Sequence, residues 1–285
     1  MSYVNSSSLI DDGGCPVCES RAKEKWASER GFNVYRCMSC KFLYLSPMVQ
    51  SDDLQDAVRN GHHAAIGLDV RSRRIARKVR RYTRLLHPVL AALRAGDRPV
   101  QWIDVGCGYG ELLEAVSSAL PKDSLALGFE PMTHKAMQAK SRGLTVINDY
   151  LPLSSHSADA ISMMDIFSHI PDFRSLLRVA SSNLKRGGYL IIETGNLADL
   201  EYREEAPGEL GLPDHLTFAG ESHIQRLLTD TGFAIDSVIR IRIDGAVETL
   251  KNIAKLALGR PAQIRFPYTS RYRQLVVIAR KVDDV

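Results

Sequence analysis

Short apolar runs alternate with amphipathic stretches between residues 100 and 194. The apolar runs cover residues 100–105, 125–130, 144–147, 157–165 and 189–194. The first of them combines apolar with β-branched residues, which is typical of a strand inside a parallel sheet. The stretches between them predict helices, and the last of these should end near residue 184, closed by the glycines of residues 185–188. This alternation predicts a parallel sheet with helices on both faces. Residues 235–243 and 275–279 add a final antiparallel pair, which makes seven strands.

Apolar residues also recur at spacings of four and three from residue 75 to residue 93. The spacing predicts an amphipathic helix over residues 69–94, or two helices broken at Pro88. The opposite face is basic and consists of Arg71, Arg73, Arg74, Arg77, Lys78, Arg80, Arg81 and Arg84. Such a stripe suits either the phosphates of RNA or of an anionic sugar nucleotide, or a solvated face that links two parts of the chain. The second interpretation is the simpler one.

The composition is that of an ordinary globular protein. The chain has 285 residues, of which 45% are hydrophobic and 25% charged, enough for one full core and a smaller module. A net charge of +4 does not by itself indicate a nucleic-acid partner. No apolar run approaches the ~20 residues that span a bilayer, and the first residues do not resemble a secretion signal. We therefore expect a cytoplasmic protein without a membrane span.

Four of the five cysteines form two C-x-x-C pairs, Cys15 with Cys18 and Cys37 with Cys40. This arrangement matches a zinc ribbon with four thiolate ligands. Disulfides would suit a secreted domain, which the missing signal disfavours, and a redox motif would need only one pair beside a βαβ unit. We expect a structural zinc ion, because four protein ligands leave no position open for catalysis.

Three glycines, Gly106, Gly108 and Gly110, form a turn between the first strand and the following helix. They let the backbone bend at the carboxyl end of a strand, where open α/β sheets bind ligands. A dinucleotide fingerprint would need its third glycine at Glu111, where a carboxylate would repel a pyrophosphate. The sulfonium of S-adenosylmethionine (SAM) tolerates an acid there. Glu130 ends the second strand, at a spacing that suits a contact with ribose hydroxyls.

These residues resemble the sequence motifs of class I SAM-dependent methyltransferases. Residues 103–110 are similar to the first motif of that family and residues 128–131 to the second, within a resemblance that covers residues 100–240. The resemblance implies an α/β fold with a Rossmann-like, doubly wound, seven-stranded sheet that is mostly parallel. It also implies a set of cofactor-binding residues, namely Asp104, Gly106, Cys107, Gly108, Gly110, Glu130, Pro131, Asp149, Tyr150, Asp165 and Ile166.

Within that set, the resemblance gives each group of residues a part of the cofactor. Asp104 and Gly106 would lie near the methionine moiety, Glu130 would bind the ribose, and Asp149 would bind the adenine amine. The expected organisation is a zinc ribbon over residues 1–50, a helical linker or cap over 51–98 and a SAM-binding methyltransferase domain over 99–285.

Two histidines are candidate catalytic residues. His169 follows the fourth strand in a segment that resembles a family motif, with Ser168 in place of the usual glutamate; it either contacts substrate or cofactor, or caps and packs a helix. His215 follows the acidic loop of residues 196–213 in an arrangement that resembles small-molecule methyltransferases with an N-terminal zinc ribbon. It is the first choice for a general base or substrate anchor, and the alternative is a histidine that bonds loop backbone.

The sequence therefore predicts a methyltransferase with a small-molecule acceptor, such as a sugar, a nucleotide sugar or a specialised metabolite, methylated on oxygen. One alternative is an rRNA methyltransferase whose zinc module and arginine-rich helix bind nucleic acid. Another is a non-catalytic zinc adaptor with a degenerate methyltransferase fold, which the intact glycine turn and Glu130 disfavour.

Overall fold

The computed structural model describes residues 9–10, 13–49, 59, 72–153, 158–206, 208–259 and 269–282. The strands are β1 (Leu9–Ile10), β2 (Lys23–Glu29), β3 (Phe32–Cys37), β4 (Leu43–Leu45), β5 (Met48–Val49), β6 (Gln101–Val105), β7 (Leu125–Phe129), β8 (Val146–Ile147), β9 (Ala158–Met164), β10 (Leu184–Gly195), β11 (Thr217–Phe218), β12 (Phe233–Arg242) and β13 (Arg273–Lys281). The longer helices are α1 (Ser72–Leu85), α2 (His87–Arg94), α3 (Glu111–Ser117), α4 (Thr133–Ser141), α5 (Phe173–Asn183), α6 (Glu221–Asp230) and α7 (Ala246–Ala257).

The main sheet has seven strands in the order β12-β13-β10-β9-β6-β7-β8. Strands β8, β7, β6, β9 and β10 pair in parallel, and β13 is antiparallel to both of its neighbours. The predicted fold class, including the closing antiparallel pair, is confirmed. Because β6 lies between β7 and β9, the strand order reverses beside it, and a ligand crevice is expected at its carboxyl end.

The centre of this sheet is dry. All residues of β9 are buried, as expected for a strand covered by helices on both faces. Trp102 of β6 is fully buried, and its indole N–H donates to the Ser162 hydroxyl of β9 at 2.9 Å. The largest apolar ring of the sheet therefore buries its polar atom without leaving it unbonded.

The predicted end of α5 near residue 184 is confirmed to within one residue, but the glycines that follow do not close the helix. The helix ends at Asn183, and Leu184 already pairs with Ala158 as the first residue of β10. The strand register shifts between Leu184 and Tyr189, so the two glycines of residues 185–188 lie within an irregular stretch of strand rather than after a helix. A glycine pair suits either a helix end or an irregular strand, which is why the sequence pattern placed the helix end correctly but assigned these glycines to the wrong element.

The predicted amphipathic stretch forms two helices, α1 and α2, and the break falls at Leu86 rather than at Pro88. Pro88 instead occupies the first turn of α2, where its missing N–H is tolerated. Tyr82, Leu86 and Leu90 are buried and belong to the same apolar cluster as Trp102. This cluster attaches the helical pair to one face of the main sheet.

The N-terminal cysteine-rich segment forms a second sheet in the order β11-β4-β3-β2. Its outer strand comes from far along the chain, since Thr217 and Phe218 pair with Tyr44 and Leu43. Phe42 and other residues of this segment share one apolar cluster with β9 and α5. The predicted division near residue 50 remains a prediction, and on either side of it the chain contributes to a common core.

Some predictions fall outside the described residues. These are the ones that concern Arg71 and the side chains of Arg73 and Arg74 in the predicted basic face. Within the described ranges, no helix has both the length and the apolar character needed to cross a bilayer.

Candidate functional site

The glycine turn after β6 adopts a backbone that side chains would obstruct. Gly106 has a φ of +67°, and a Cβ there would lie 2.5 Å from Cγ2 of Ile166. The N–H groups of Gly106 and Cys107 donate to the Phe129 carbonyl at 2.8 and 3.1 Å. Gly110, with a φ of +81°, is the N-cap of α3. The turn is thus fixed against the neighbouring strand and presents its backbone to the crevice.

Glu130, directly after β7, is tied to that turn. Its side chain is buried, and its two carboxylate oxygens accept the N–H groups of Gly108 at 2.7 Å and Met132 at 2.9 Å. An ionised carboxylate has about four acceptor positions, so two are left for further donors. The arrangement could hold the paired hydroxyls of a ribose.

Asp104 is a buried acid beside the turn, only 2% exposed. Burial raises the pKa of its carboxyl to about 7, against the effect of the Ser162 hydroxyl, which donates to Oδ1 at 2.6 Å. The carboxylates of Glu111 and Glu130 raise this pKa further. A positive charge brought next to Asp104 would favour its ionised form.

A cavity of about 430 Å³ opens over these residues. The structure gathers in its walls the predicted cofactor-binding residues Asp104, Gly106, Cys107, Gly108, Glu130, Pro131, Asp149, Tyr150, Asp165 and Ile166, together with His169. The one predicted cofactor residue outside this lining is Gly110, which lies behind the turn against Ala139 and Leu144. Gly110 therefore serves helix packing rather than a direct ligand contact.

One wall of the cavity is helix α1, which the sequence did not assign to the site. Lys78 and Tyr82 line the cavity, and Lys78 Nζ lies 3.5 Å from the Glu111 carboxylate. Arg81 donates through both terminal nitrogens to the carboxylate of Glu193, which is completely buried in β10. The basic face of α1 therefore has a structural use inside the molecule. Arg77, Arg80 and Arg84 of this face are exposed.

A second cavity, of about 320 Å³, adjoins the first and shares Asp165 and His169 with it. Its other lining residues are Ser168, Thr194, Gly195, Leu197, Glu209, Leu210, His215, Thr217, Phe218 and Tyr272. The two candidate histidines meet here, with ring centroids 4.7 Å apart and planes at 69°. The junction of the cavities is therefore also the place where the predicted catalytic side chains come together.

Each histidine is oriented through its Nδ1 atom. His169 Nδ1 lies 3.1 Å from both the carbonyl and the Oδ1 of Asp214, and His215 Nδ1 lies 2.6 Å from the Leu210 carbonyl. These acceptors favour the tautomer with the proton on Nδ1, in which Nε2 is the basic nitrogen. Nδ1 of His215 thus bonds loop backbone, as the alternative interpretation of this residue expects. The same ring also lines the second cavity.

Two further residues of this site were missed by the sequence. Asp214 precedes His215 in the same motif, so its position next to a candidate base was a visible signal. Tyr272 had no such signal. Its hydroxyl packs against Gly195, at a distance that a Cβ atom on that residue would not allow. Burial raises the pKa of Tyr272 to about 12.

The four predicted metal ligands, Cys15, Cys18, Cys37 and Cys40, lie with all sulfur atoms within 4.8 Å of one another. The Sγ atoms of Cys15 and Cys40, and those of Cys18 and Cys37, are 3.5 Å apart, and no disulfide forms. Zinc–sulfur bonds of about 2.3 Å in a tetrahedron require sulfur atoms about 3.8 Å apart. The cluster could therefore hold a zinc ion.

The cysteine cluster is anchored to the main domain by two side chains. His223 of α6 accepts the Gly220 N–H at Nδ1, and its Nε2–H is then available to the Cys40 carbonyl 2.6 Å away. Arg174 of α5 donates to the Val17 carbonyl at 3.3 Å. Both cysteine turns thus contact helices of the main sheet.

Comparison with known proteins agrees with this geometry. A family model described as "Methyltransferase domain" matches residues 73–238. Over 101 residues the chain is 29% identical to a ubiquinone biosynthesis O-methyltransferase of Citrobacter koseri, a match that covers 33% of this chain and 42% of that protein. The chain thus spans less than half of the length of that curated relative.

Two solved structures share the fold. One is a Galdieria sulphuraria protein provisionally named a sarcosine dimethylglycine methyltransferase, with a TM-score of 0.52 and 14% identity over 72% of this chain and 87% of that one. The other is the cyclase SpnF, with a TM-score of 0.50 and 18% identity over 70% and 81%. The family match covers more than half of the chain. The chain therefore belongs to the class I SAM-dependent methyltransferases and carries a four-cysteine cluster ahead of the methyltransferase domain.

Proposed function

We propose that the enzyme methylates a hydroxyl group of a small polar molecule, such as a sugar, a nucleotide sugar or a specialised metabolite. The observation that carries this proposal is the pair of adjoining cavities that meet at Asp165 and His169. One holds the predicted cofactor residues, and the other offers mostly polar side chains to an acceptor. The name of the Citrobacter koseri relative, an O-methyltransferase, supports oxygen as the acceptor atom.

The first cavity would bind the cofactor through residues of four strand ends. We assign the ribose hydroxyls to Glu130, the methionine moiety to Asp104 and the glycine turn, and the adenine to Asp149 and Tyr150. Asp149 is exposed and forms a 3.2 Å ion pair with Arg59. Bound SAM supplies an electrophilic methyl group on a sulfonium. The chain's own residues supply orientation and an enclosed pocket, which bring two reactants to about 3–3.5 Å.

The second cavity would bind the acceptor and receive its proton. A hydroxyl becomes a competent nucleophile as its proton leaves, and a histidine can take that proton near neutral pH. His169 belongs to both cavities and is oriented by Asp214, and His215 is oriented by the Leu210 carbonyl. We assign proton removal to this histidine pair, with Nε2 as the accepting atom.

The four cysteines would hold a structural zinc ion. Their donor set is complete for tetrahedral zinc, so the metal would stabilise the small N-terminal sheet and leave no position for substrate.

The acceptor can be found by incubating the protein with methyl-labelled SAM and fractionated cell extract, with and without nuclease. The expected result is a labelled small molecule that nuclease does not alter. Label in nuclease-sensitive material, with an RNA affinity that falls steeply with salt, would favour the rRNA alternative. Absence of SAM binding in calorimetry at full zinc occupancy would favour the non-catalytic adaptor.

With that acceptor in hand, His169→Asn and His215→Asn test the assigned proton transfer. Each should lower turnover by about 100-fold or more, the usual contribution of a positioned base, with little change in SAM affinity by calorimetry. His134→Asn is the matched control, because His134 is exposed on α4, away from the second cavity. Wild-type turnover in both site variants would remove the histidine pair from the mechanism.

A further inference from the structure

The second cavity, called the acceptor cavity from here on, has as one wall a loop that the cysteine-rich sheet holds in place. Leu197, Glu209, Leu210 and His215 of this loop line the cavity. The contacts that fix the loop come from β2 and its flanking strand β3, and the strongest set comes from one carboxylate, Glu29. Glu29 is the last residue of β2, and no sequence motif drew attention to it.

The Glu29 carboxylate accepts three consecutive backbone N–H groups. Leu210 donates to Oε2 at 2.6 Å, and Gly211 and Leu212 donate to Oε1 at 2.8 and 3.1 Å. Burial alone would raise the pKa of Glu29, but the three N–H donors and the neighbouring Arg30 lower it below its usual value. The charged form therefore binds this short stretch of loop across the boundary between the two sheets.

The same stretch orients the histidine. The Leu210 carbonyl lies 2.6 Å from Nδ1 of His215, and the Gly211 carbonyl accepts the backbone N–H groups of Asp214 at 3.0 Å and His215 at 3.1 Å. Gly211 has a φ of +78°, and a Cβ there would lie 3.2 Å from His215 Nδ1. The peptides that Glu29 holds are thus the peptides that set the position of His215.

A second anchor keeps the rest of the loop in place independently of Glu29. The indole N–H of Trp26 and Nη1 of Arg36 both donate to the Glu201 carbonyl, at 3.2 and 3.0 Å. Removal of Glu29 should therefore change the stretch around Leu210 locally, without detaching the loop.

We propose that Glu29 is a positioning residue of the acceptor site, which holds residues 210–212 so that the Leu210 carbonyl keeps His215 in its Nδ1–H tautomer. The significance of that tautomer for catalysis rests on the proposed function, because it makes Nε2 of His215 the basic nitrogen. The N-terminal strands β2, β3 and β4 then contribute to the chemistry of a site to which they supply no cavity-lining side chain, since the lining residues of that sheet, Thr217 and Phe218, belong to β11.

The test is a long-range ¹⁵N–¹H spectrum of the imidazoles in the full-length, zinc-loaded protein, recorded at alkaline pH where the rings are neutral. The His215 signals are assigned by their loss in His215→Gln. In the wild type they should show the Nδ1–H pattern. In Glu29→Ala and Glu29→Gln they should move toward the Nε2–H pattern, because neither side chain can accept all three N–H groups. Zinc content and SAM affinity should stay at wild-type values.

Glu24→Gln is the matched control, since Glu24 is an exposed acid on the same strand; its His215 signals should match the wild type. An unchanged Nδ1–H pattern in both Glu29 variants would overturn the inference. This readout does not need the acceptor, so a failed methyl-transfer assay alongside a Glu29-dependent tautomer would count against the proposed function alone.

Discussion

Asp104 is a buried acid whose charged form would attract a cationic cofactor. Its carboxyl has a pKa of about 7, raised chiefly by burial, and the carboxylates of Glu111 and Glu130 raise it further. Lys78 forms an ion pair with Glu111, with 3.5 Å between the two charged atoms. Asp104 therefore changes its charge within the physiological range, and a cationic ligand placed beside it would shift that equilibrium toward the carboxylate.

We predict that SAM binds more tightly as the pH rises through about 7. The deprotonated carboxylate attracts the cationic methionine moiety, and the protonated acid does not. Below the pKa, affinity should fall by up to about tenfold per pH unit, the limit for one linked proton. Calorimetry from mildly acidic to mildly alkaline buffer measures this slope. Asp104→Asn should bind weakly with a shallower slope, and a variant with the wild-type slope would show that another group is responsible.

Asp159 shows the reverse effect, a carboxylate whose charge the fold stabilises. Burial would raise its pKa, but hydrogen bonds from Arg98, Lys185 and the backbone N–H of Gln101, at 2.6, 2.8 and 2.8 Å, lower it below the usual value. Because Asp159 lies in β9, these bonds connect that strand to the end of the linker and to the first residues of β6 and β10. The two cations are largely solvent-exposed, so their ion pairs are discounted for screening.

Asp159→Asn should lower the free energy of unfolding by about 1–2 kcal/mol at neutral pH, mainly through the weakened bond to the Gln101 N–H. Because the folded pKa is depressed, this stabilisation exists above the unfolded pKa and is lost as the pH falls through the folded pKa. Urea unfolding at several pH values should show the wild-type advantage shrinking in acid. Asp236→Asn is the control, an exposed acid that pairs with Arg280, and its effect should be near zero.

Arg81 of helix α1 forms an ion pair with Glu193 of the main sheet, in addition to the apolar cluster that attaches the helix. Glu193 is completely buried and Arg81 is one-third exposed, so loss of the arginine would leave an uncompensated charge inside the protein. Breaking such a pair usually costs about 3–5 kcal/mol, and the partial exposure of Arg81 places this case near the lower end. Lys78 and Tyr82 of the same helix line the first cavity, the proposed cofactor cavity. The ion pair between Arg81 and Glu193 therefore also holds one wall of that cavity.

Arg81→Met should therefore destabilise the protein and weaken SAM binding together. In the double variant Arg81→Met with Glu193→Gln no charge remains buried, and most of the lost stability should return. Urea unfolding and calorimetry on the single and double variants measure the two effects. If Arg81→Met leaves both quantities unchanged, the helix is held in place by its apolar face alone.

The helices and strands show which kinds of information the sequence carries. Apolar runs in the sequence located the strands of the main sheet, of which β9 is buried throughout, and the glycine turn was visible because its geometry restricts residue type. The contributions of Glu29, Arg81 and Tyr272 to the site arise from pairings across long sequence separations, which no local pattern encodes. The glycines of residues 185–188 show the opposite case: the helix ends just before them, as predicted, but pairing with β9 places them within a strand.

Over the whole molecule, the cysteine-rich segment and the methyltransferase domain form one packed body. They share strand β11, an apolar core and the His223 contact to the Cys40 carbonyl. The cofactor cavity is lined by residues of α1 and of the chain between Asp104 and Leu176, whereas the acceptor cavity is lined partly by Thr217 and Phe218 of β11. Metal loss should therefore affect the two cavities unequally, because only one of them includes a strand of the cysteine-rich sheet.

Cys18→Ser tests this asymmetry. Native mass spectrometry should show one zinc ion in the wild type and none in the variant, since three thiolates bind structural zinc poorly. Hydrogen exchange should then rise in β2, β3, β4, β11 and residues 208–216, with little change in β6 and β7, and calorimetry should find SAM affinity largely retained. Cys107→Ser, which alters the one cysteine outside the cluster, should keep its zinc. Two results would contradict this division between the two cavities. One is a Cys18→Ser protein that retains zinc, and the other is a zinc-free variant that loses SAM binding along with the exchange protection of residues 208–216.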